Sequence, residues 1–246
     1  MNERPPTHTV GILAGMGPAA GVDFARLFVA ACEDWLHAHG RTVRDQAYPA
    51  HWMAQLPIPD RTHALADPQA PQPLEAMLRG LEQLAGLGAR AVAMPCNTAH
   101  AWHAALQERA PQVELLHMPR ETAAALRTQG LARVALLATQ GSYRSGLYAQ
   151  AFAEQGIECV LPDEQARDWL MQGIYDGVKA GRLALAQQRF VAVGERLRAQ
   201  HGDIALAMAC TEIPLALPQA SAAQGWTLID PTAILAAALA RRAYAA

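Results

Sequence analysis

One short segment of this chain occurs twice, and the repetition constrains the fold more than any other feature of the sequence. Residues 91–98 read AVAMPCNT and residues 205–212 read ALAMACTE, and the two align without a gap so that Cys96 matches Cys210. Each copy is an apolar run typical of a buried strand, followed by small polar residues that can open a helix. We therefore predict two strands that each deliver a thiol to the start of a helix.

A second pair of segments repeats in the same order. VGILAGMG at 10–17 resembles VALLATQG at 134–141, and each lies ahead of its cysteine segment. Strand patterns alternate with helical patterns along the chain, which predicts an α/β fold with mostly parallel sheets. We expect two similar lobes related by a pseudo-twofold axis: 1–117, completed by 216–246, and 118–215.

The hydrophobic pattern also predicts the individual elements. The expected strands are 9–14, 47–53, 89–95, 113–117, 133–138, 157–161, 204–209 and 226–229. The expected helices are 21–39, 74–87, 98–109, 121–129, 143–155, 163–180, 183–200 and one from Pro231. The proline-rich segment from Leu56 to Pro73 is expected to be irregular.

The strand-ending loops predict where a ligand binds. Ligands of open α/β sheets lie at the carboxyl ends of the strands, so we expect these loops to face one active-site cleft between the lobes. The loops are 15–18, 96–99, 139–142 and 210–212. Thr139 and Thr211 are candidate substrate-binding residues in this placement, and Cys96 and Cys210 are expected to oppose each other.

Two opposed thiols can invert a carbon centre. One thiolate removes the Cα proton of an amino acid, and the opposite thiol returns a proton on the other face. Cysteine suits both roles because its reference pKa of ~8.5 lies near neutrality. Lys179, the only lysine in the chain, and Arg61, in a Pro-Asp-Arg loop, are candidate partners for substrate carboxylates. The alternative for each is a solvated surface charge.

Seven motifs, spread over most of the chain, resemble those of the aspartate/glutamate racemase family, and most closely the cofactor-independent aspartate racemases. They are GILAGMGP (11–18), RDQ (44–46), PIPDRT (57–62), MPCNTAHA (94–101), LLATQGS (136–142), GIYDGVKAG (173–181) and ACTEIPL (209–215). The resemblance implies an enzyme, commonly a homodimer, that racemises an acidic amino acid without pyridoxal phosphate or metal. It also implies that Cys210 takes the proton from the L-isomer and Cys96 from the D-isomer.

The same resemblance implies a set of substrate contacts in the first half of the chain. Asn97, Thr98 and Ala99 hold the α-carboxylate, and Met16 and Gly17 line the same end of the site. We expect these residues to form a carboxylate cradle next to the first cysteine.

Two motif positions and two departures bear on the substrate. Arg61 and Lys179 match basic positions that grip carboxylates in the family. The chain reads ACTE where the family usually reads GCTE, and TQGS at 139–142 where it usually reads TTGT. The sequence therefore leaves open whether aspartate, glutamate or another acidic amino acid is the substrate.

Composition excludes several classes of protein. The chain has 246 residues and a net charge of −2 at pH 7, which does not favour binding to nucleic acid or to an anionic membrane. No apolar run approaches the roughly 20 residues of a membrane span, and the polar N-terminus predicts a cytoplasmic protein. Its four cysteines include no CxxC pair, so their spacing predicts free thiols.

Three alternatives remain open at this point. Residues 15–20 fit GxGxxA after a strand, as in a nucleotide-binding oxidoreductase, although Pro18 lacks a donor for a pyrophosphate. Cys96, His100 and His103 share one helical face at a spacing that a metal site can use, although His100 can instead steer the neighbouring thiol. The third alternative is a protein that binds an amino acid without catalysis, which would leave the cysteine pair unexplained.

Overall fold

The computed structural model describes residues 7–245, which form two compact units. The first unit extends to Glu121 and resumes at Thr232, and the second is Thr122–Pro231. Each unit contains one four-stranded parallel sheet with helices packed against it. The predicted α/β fold with parallel sheets is confirmed.

The first unit is built on a parallel sheet with buried central strands. Its strands are Val10–Ala14 (β1), His51–Gln55 (β2), Ala91–Ala93 (β3) and Glu114–Leu115 (β4). Their order is β2-β1-β3-β4, and every neighbouring pair is parallel. The central strands β1 and β3 are buried along their whole length, because parallel sheets are covered on both faces.

Four helices accompany this sheet: Pro18–Ala38 (α1), Arg61–Ala66 (α2), Leu74–Gly86 (α3) and His103–Arg109 (α4). Short 3₁₀ turns occupy Asp45–Ala47 and Thr98–Trp102. The segment predicted to be irregular contains α2, which begins because the Asp60 side chain accepts a hydrogen bond from the His63 N–H at 2.7 Å.

The second unit repeats the topology of the first. Its strands are Arg133–Ala138 (β5), Glu158–Val160 (β6), Ala205–Ala209 (β7) and Leu228–Ile229 (β8). Their order is β6-β5-β7-β8, again with parallel neighbours. Counted within its own unit, each sheet has the order second, first, third, fourth strand, which agrees with the repetition read from the sequence.

The helices that follow β4 along the chain alternate with the strands of the second sheet. They are Met118–Thr128 (α5), Gln140–Ser145 (α6), Leu147–Glu154 (α7), Glu164–Gln172 (α8), Leu183–His201 (α9) and Pro231–Tyr244 (α10), with a π-helix at Gly173–Val178 and 3₁₀ turns at Leu217–Gln219 and Ser221–Ala223. The predicted helices 98–109, 143–155 and 163–180 are therefore each divided. The second divides at Gly146, whose φ of 65° is the left-handed conformation that glycine favours.

The C-terminal helix returns to the first unit. Helix α10 packs in the same buried cluster as Phe24 and Phe28 of α1. The Tyr244 hydroxyl donates to the Ala47 carbonyl at 3.0 Å, which fixes the end of the helix. Helix α10 thus belongs to the first unit.

The segment 216–231 differs from its predicted assignment to the first lobe. It lies with the second unit, because β8 extends the second sheet beside β7 and Trp226 packs against α9 at Gly194. A Cβ at Gly194 would overlap the Trp226 ring, so glycine permits this contact. Within the described residues, no helix is both long and apolar enough to cross a membrane.

Candidate active site

The first cysteine lies in a tight turn that follows β3. The Cys96 N–H donates to the Met94 carbonyl at 2.8 Å, which closes a three-residue turn with Pro95 at its centre, where the fixed φ of proline fits. The Ala99 N–H then donates to the Cys96 carbonyl at 3.2 Å. The sequence thus folds here into consecutive turns that hold Cys96, which is 6% exposed.

His100 is buried and supports the Cys96 turn through a hydrogen bond to its backbone. Its Nε2 donates to the Met94 carbonyl at 3.2 Å, the same oxygen that accepts from Cys96. The ring is 1% exposed, and its buried Nδ1 has no hydrogen-bond partner in the described residues. Burial and the neighbouring His117 and His103 lower the pKa of His100 well below its usual range. His100 is therefore a neutral ring that supports the Cys96 turn through a carbonyl.

Three histidines cluster beneath this turn. The centroid of the His117 ring lies 5.3 Å from that of His100 and 4.6 Å from that of His103. His103 Nε2 donates to the Leu115 carbonyl at 2.7 Å, and His117 Nδ1 accepts from the Arg120 N–H at 3.3 Å. Burial lowers the pKa of His103 and, together with His103, lowers the pKa of His117 to about 4.

Arg61 and Met16, both predicted substrate contacts, are brought together. Arg61 is 8% exposed, and its guanidinium donates to the carbonyls of Met16 at 2.6 Å, Pro59 at 2.9 Å and Ile58 at 3.1 Å. Met16 belongs to the same buried cluster as Cys96. Arg61 therefore fixes the loop after β1 beside the first cysteine.

The glycines of that loop have distinct roles. Gly15 has a φ of 97°, and a Cβ there would overlap the backbone of Leu56. Gly17 is the N-terminal cap residue of α1, and Pro18 follows it in the first turn. The first turn of α1 thus lacks one N–H donor, which disfavours the nucleotide-binding alternative.

The remaining predicted residues of the first unit are buried at the Cys96 turn. Asn97 is 5% exposed, Thr98 is 6% exposed and Ala99 is fully buried. Asn97 precedes the 3₁₀ turn, and its carbonyl accepts from the His100 N–H at 3.2 Å. Because the Ala99 N–H donates to Cys96, Ala99 contributes to the turn itself.

The second cysteine lies in a turn of the same kind after β7. The Ile213 N–H donates to the Cys210 carbonyl at 3.0 Å, which matches the bond between Ala99 and Cys96. Cys210 is 6% exposed, as is Cys96. The repeated sequence therefore produces a repeated local geometry around the two thiols.

A carboxylate organises the polar groups at Cys210. Glu212 Oε2 accepts from Cys210 Sγ at 3.0 Å and from Thr211 Oγ1 at 3.1 Å, while its Oε1 lies 3.2 Å from Lys179 Nζ. Burial raises the pKa of Cys210 well above its usual range, and the charge of Glu212 adds to the rise, whereas Lys179 opposes it. Burial acts to lower the pKa of Lys179, but Glu212, Cys210 and Tyr175 outweigh it, so the pKa rises.

A π-helix positions Lys179. The Lys179 N–H donates to the Ile174 carbonyl at 3.0 Å, the spacing of a π turn. A Cβ at Gly177 would come within 2.8 Å of the Ala186 Cβ, so glycine allows α9 to pack closely here. Single π turns occur frequently at functional sites, and this one turns Lys179 toward Glu212.

Thr139 lies at the end of β5 and begins α6. Its Oγ1 accepts from the Ser142 N–H at 3.1 Å, the usual contact of a helix N-cap. Thr139 is 5% exposed. Its hydroxyl therefore has a structural role in the loop that the sequence assigned to substrate binding.

Glu212, which contacts Cys210, is not among the site residues predicted from the sequence. The signal was present in the ACTE motif, where a carboxylate follows the cysteine by two positions. The metal alternative for Cys96, His100 and His103 is not supported, because no three His, Cys, Asp or Glu side chains within 7–245 are arranged to hold a metal ion. All four cysteines are free thiols.

Comparison with known proteins identifies relatives across nearly the whole chain. The family model described as Asp/Glu/Hydantoin racemase matches residues 13–239. The aspartate racemase of Picrophilus torridus is similar in structure, with a TM-score of 0.78 and 30% identity, covering 94% of this chain and 92% of that one. The broad specificity amino-acid racemase RacX of Bacillus subtilis is 27% identical over 206 residues, which are 83% of this chain and 85% of RacX. The glutamate racemase of Pseudomonas aeruginosa is 36% identical over 136 residues, which are 53% of this chain and 48% of that protein.

Proposed function

The chain belongs to the Asp/Glu/Hydantoin racemase family, and we propose that it interconverts L- and D-aspartate by proton transfer at Cα. Cys96 and Cys210 act as the two acid/base groups, one on each face of the substrate. Cys210 takes the proton from the L-isomer and Cys96 takes it from the D-isomer. The chemistry needs a thiolate and a thiol, so neither pyridoxal phosphate nor a metal takes part in it.

The observation that carries this proposal is the repeated turn around the two thiols. Ala99 and Ile213 each donate their N–H to the carbonyl of the preceding cysteine, at 3.2 and 3.0 Å. Each thiol follows an equivalent strand and has the same backbone hydrogen bond. Two such thiols suit a reaction that removes a proton from one face of Cα and delivers a proton to the other. A protein that only binds an amino acid has no need of the second thiol.

Cationic and polar side chains give the proposed site its preference for an acidic substrate. Lys179 has three N–H donors, and the contact with Glu212 uses one of them. Asn97 and Thr98 support the α-carboxylate at the Cys96 turn, and Arg61 shapes the same end through the Met16 carbonyl. These donors stabilise the negative charge that develops on the substrate when Cα loses its proton.

The remaining predicted contacts complete the substrate site. Met16 and Gly17 line the end next to Cys96, and Ala99 supports it through the turn. Thr139 and Thr211 lie at the strand ends of the second unit, where Thr211 donates to Glu212. Aspartate is favoured over glutamate because the similarity to the Picrophilus torridus aspartate racemase extends over 94% of the chain.

A second candidate substrate range has its own support. RacX, with its broad specificity, is similar over 83% of this chain, and the chain departs from the usual family motifs at 139–142. A purified-enzyme assay with each enantiomer of aspartate, glutamate and several neutral amino acids decides between the two. Aspartate turning over with the highest kcat/KM supports the proposal, and turnover of neutral amino acids alone would refute it.

The proposed enzyme is a homodimer. Two exposed apolar side chains, Trp52 and Met53, lie on the edge strand β2, which within residues 7–245 is paired on one side only. Val22 and Val29 are also exposed apolar residues. They lie on α1, which packs along β2. A dimer would cover this apolar surface and its open strand edge.

Light scattering after size-exclusion chromatography tests this assembly. The unmodified chain is expected to have the mass of two copies, and the double variant W52E/M53E the mass of one. Leu161→Glu is the matched control, since Leu161 is an equally exposed apolar residue of the second unit. We place the enzyme in the cytoplasm, where reducing conditions keep both thiols available.

A further inference from the structure

Glu212 joins the Cys210 thiol to the Lys179 ammonium. The carboxylate is 8% exposed and receives hydrogen bonds from Cys210 and Thr211, with Lys179 3.2 Å from its other oxygen. An ionised carboxylate only accepts hydrogen bonds. The Cys210 S–H bond donates to Oε2 of Glu212 at 3.0 Å and therefore points at that oxygen.

We propose that Glu212 is a positioning residue that keeps the proton on Cys210 and orients its S–H bond, while Lys179 holds the carboxylate in place. This inference rests on the proposed racemisation, because it assigns the resting proton of the two-thiol pair. Cys210 is therefore the acid of the two-thiol pair, and the proposed mechanism assigns the role of base in the same step to Cys96.

The charges around Cys210 support this assignment. A Cys210 thiolate would lie about 3 Å from a buried carboxylate, and like charges at that separation strongly disfavour ionisation. Tyr143 and Tyr148 also lie within electrostatic range, but burial raises the pKa of both phenols, so they stay neutral. Glu212 and Lys179 are thus the charges of the second unit that set the protonation of this thiol.

The proton balance of the reaction follows from this resting state. In the D-to-L direction, the Cys96 thiolate takes the Cα proton and Cys210 gives its proton to the opposite face, which leaves Cys210 as the thiolate. The enzyme is then in the form that accepts the L-isomer, whose proton returns to Cys210 while Cys96 donates. Because the two enantiomers have equal free energy, kcat/KM is the same in both directions, and the asymmetry appears in thiol protonation instead.

Titration of the thiolate absorbance tests the proposal without substrate. In the Cys96→Ala background, Cys210 is expected to ionise well above the usual thiol range. Adding Glu212→Gln should lower the Cys210 midpoint by about one to two pH units, whereas adding Lys179→Met should raise it. Glu164→Gln removes an exposed carboxylate of the same unit and should leave the midpoint unchanged.

Two further variants complete the experiment. Cys96→Ala/Cys210→Ala gives the background from Cys32 and Cys159, whose pKa values burial raises to about 12 and about 11. Glu212→Asp retains the charge and should restore a high midpoint, which separates a charge effect from loss of packing. Circular dichroism confirms that each variant is folded before its titration is interpreted.

The outcomes separate this inference from the proposed function. Opposite shifts in the Gln and Met variants support the role of Glu212, whether or not aspartate turns over. A Cys210 midpoint that is unchanged in folded Glu212→Gln would overturn it, even in an active racemase. A Cys210 midpoint below that of Cys96, measured in Cys210→Ala, would overturn the assignment of the resting proton.

Discussion

The two cysteine turns share one backbone hydrogen bond and differ in the side chains that support them. Both carbonyls accept an N–H from the residue three positions on, at 3.2 Å for Cys96 and 3.0 Å for Cys210. At Cys96 the nearest support is a neutral imidazole, His100, bonded to the backbone of the turn. At Cys210 it is a carboxylate, Glu212, bonded to the sulfur itself.

A repeated fold therefore does not give the two thiols equivalent surroundings. The strand and the turn place a sulfur, whereas its protonation depends on the charges that contact it. In the proposed mechanism, a duplicated segment with one carboxylate added provides an acid and a base from the same residue type. Racemisation needs one of each in every turnover.

Removing either thiol has the largest expected effect. Cys96→Ala and Cys210→Ala should each lower racemisation of aspartate by about 10²–10⁴-fold, the usual contribution of a general acid or base. Chiral chromatography of the product measures this loss. Cys32→Ala is the control, because Cys32 is buried in the first core, and a racemase that tolerates loss of Cys96 or Cys210 would contradict the two-thiol mechanism.

The same two variants also distinguish the proton-exchange rates of the two thiols. Cys210→Ala keeps Cys96, the proposed base for the D-isomer, and should exchange the Cα proton of D-aspartate with solvent without inverting it. Cys96→Ala keeps a thiol whose proton is held by Glu212, so its exchange of L-aspartate should be slower. Nuclear magnetic resonance of the Cα proton in D₂O measures both rates, and the reverse order would contradict the assignment.

Lys179 is expected to have the next largest effect. Lys179→Met removes a cation from Glu212 and from the proposed substrate site, and should raise KM for aspartate by about 10–100-fold, the value of one to two charge-assisted hydrogen bonds. Steady-state kinetics measures the change. Arg182→Met removes a nearby cation that is exposed and paired with Asp176, and a similar loss in that control would argue against a specific role for Lys179.

Substitution of His100 tests the support of the Cys96 turn. His100→Ala and His103→Ala each remove an imidazole that donates to a backbone carbonyl, Met94 or Leu115. Each should lower the free energy of unfolding by about 1–3 kcal/mol. Only His100→Ala should also lower kcat/KM, by about tenfold or more, because only His100 contacts the Cys96 turn. Urea denaturation and kinetics on the same samples distinguish the two effects.

The histidine cluster predicts a smaller effect, on the pH dependence of stability. Burial lowers the pKa of His117 to about 4 in the folded chain, whereas an unfolded histidine titrates near ~6.5. Between these values the unfolded state binds a proton that the folded state does not, so stability is full above about pH 6.5 and falls as the pH drops toward 4. His117→Asn can still cap α5 and should flatten this decline in urea denaturation. An unchanged decline would show that other groups cause the acid sensitivity.

Much of the fold was predictable because it depends on local patterns. Apolar runs that end in small or polar residues predicted the strands, and β5 was predicted at its observed bounds. The segment 216–231 was assigned to the wrong lobe, because β8 has only two residues and its partner β7 cannot be read from local sequence. The hydrophobic periodicity of a segment does not show which distant strand that segment pairs with.

Sequence patterns selected the candidate site residues but did not indicate the contacts that these residues make. Repetition identified Cys96 and Cys210, and the family motif identified Arg61 and Lys179. Neither indicated that Arg61 donates to backbone carbonyls or that Lys179 pairs with Glu212. The π-helix that places Lys179 depends on the close packing of Gly177 against Ala186, a tertiary contact that a helical pattern cannot reveal.

Deuterium incorporation during racemisation is the sharpest test of proton transfer between two opposed thiols. When L-aspartate reacts in D₂O, two opposed thiols predict D-aspartate that carries deuterium at Cα, while the remaining L-aspartate keeps its protium at early times. The reason is that Cys210 removes the proton and Cys96 delivers a different one from solvent. Protium retained in the D-aspartate, or deuterium entering both isomers at equal rates, would contradict the account.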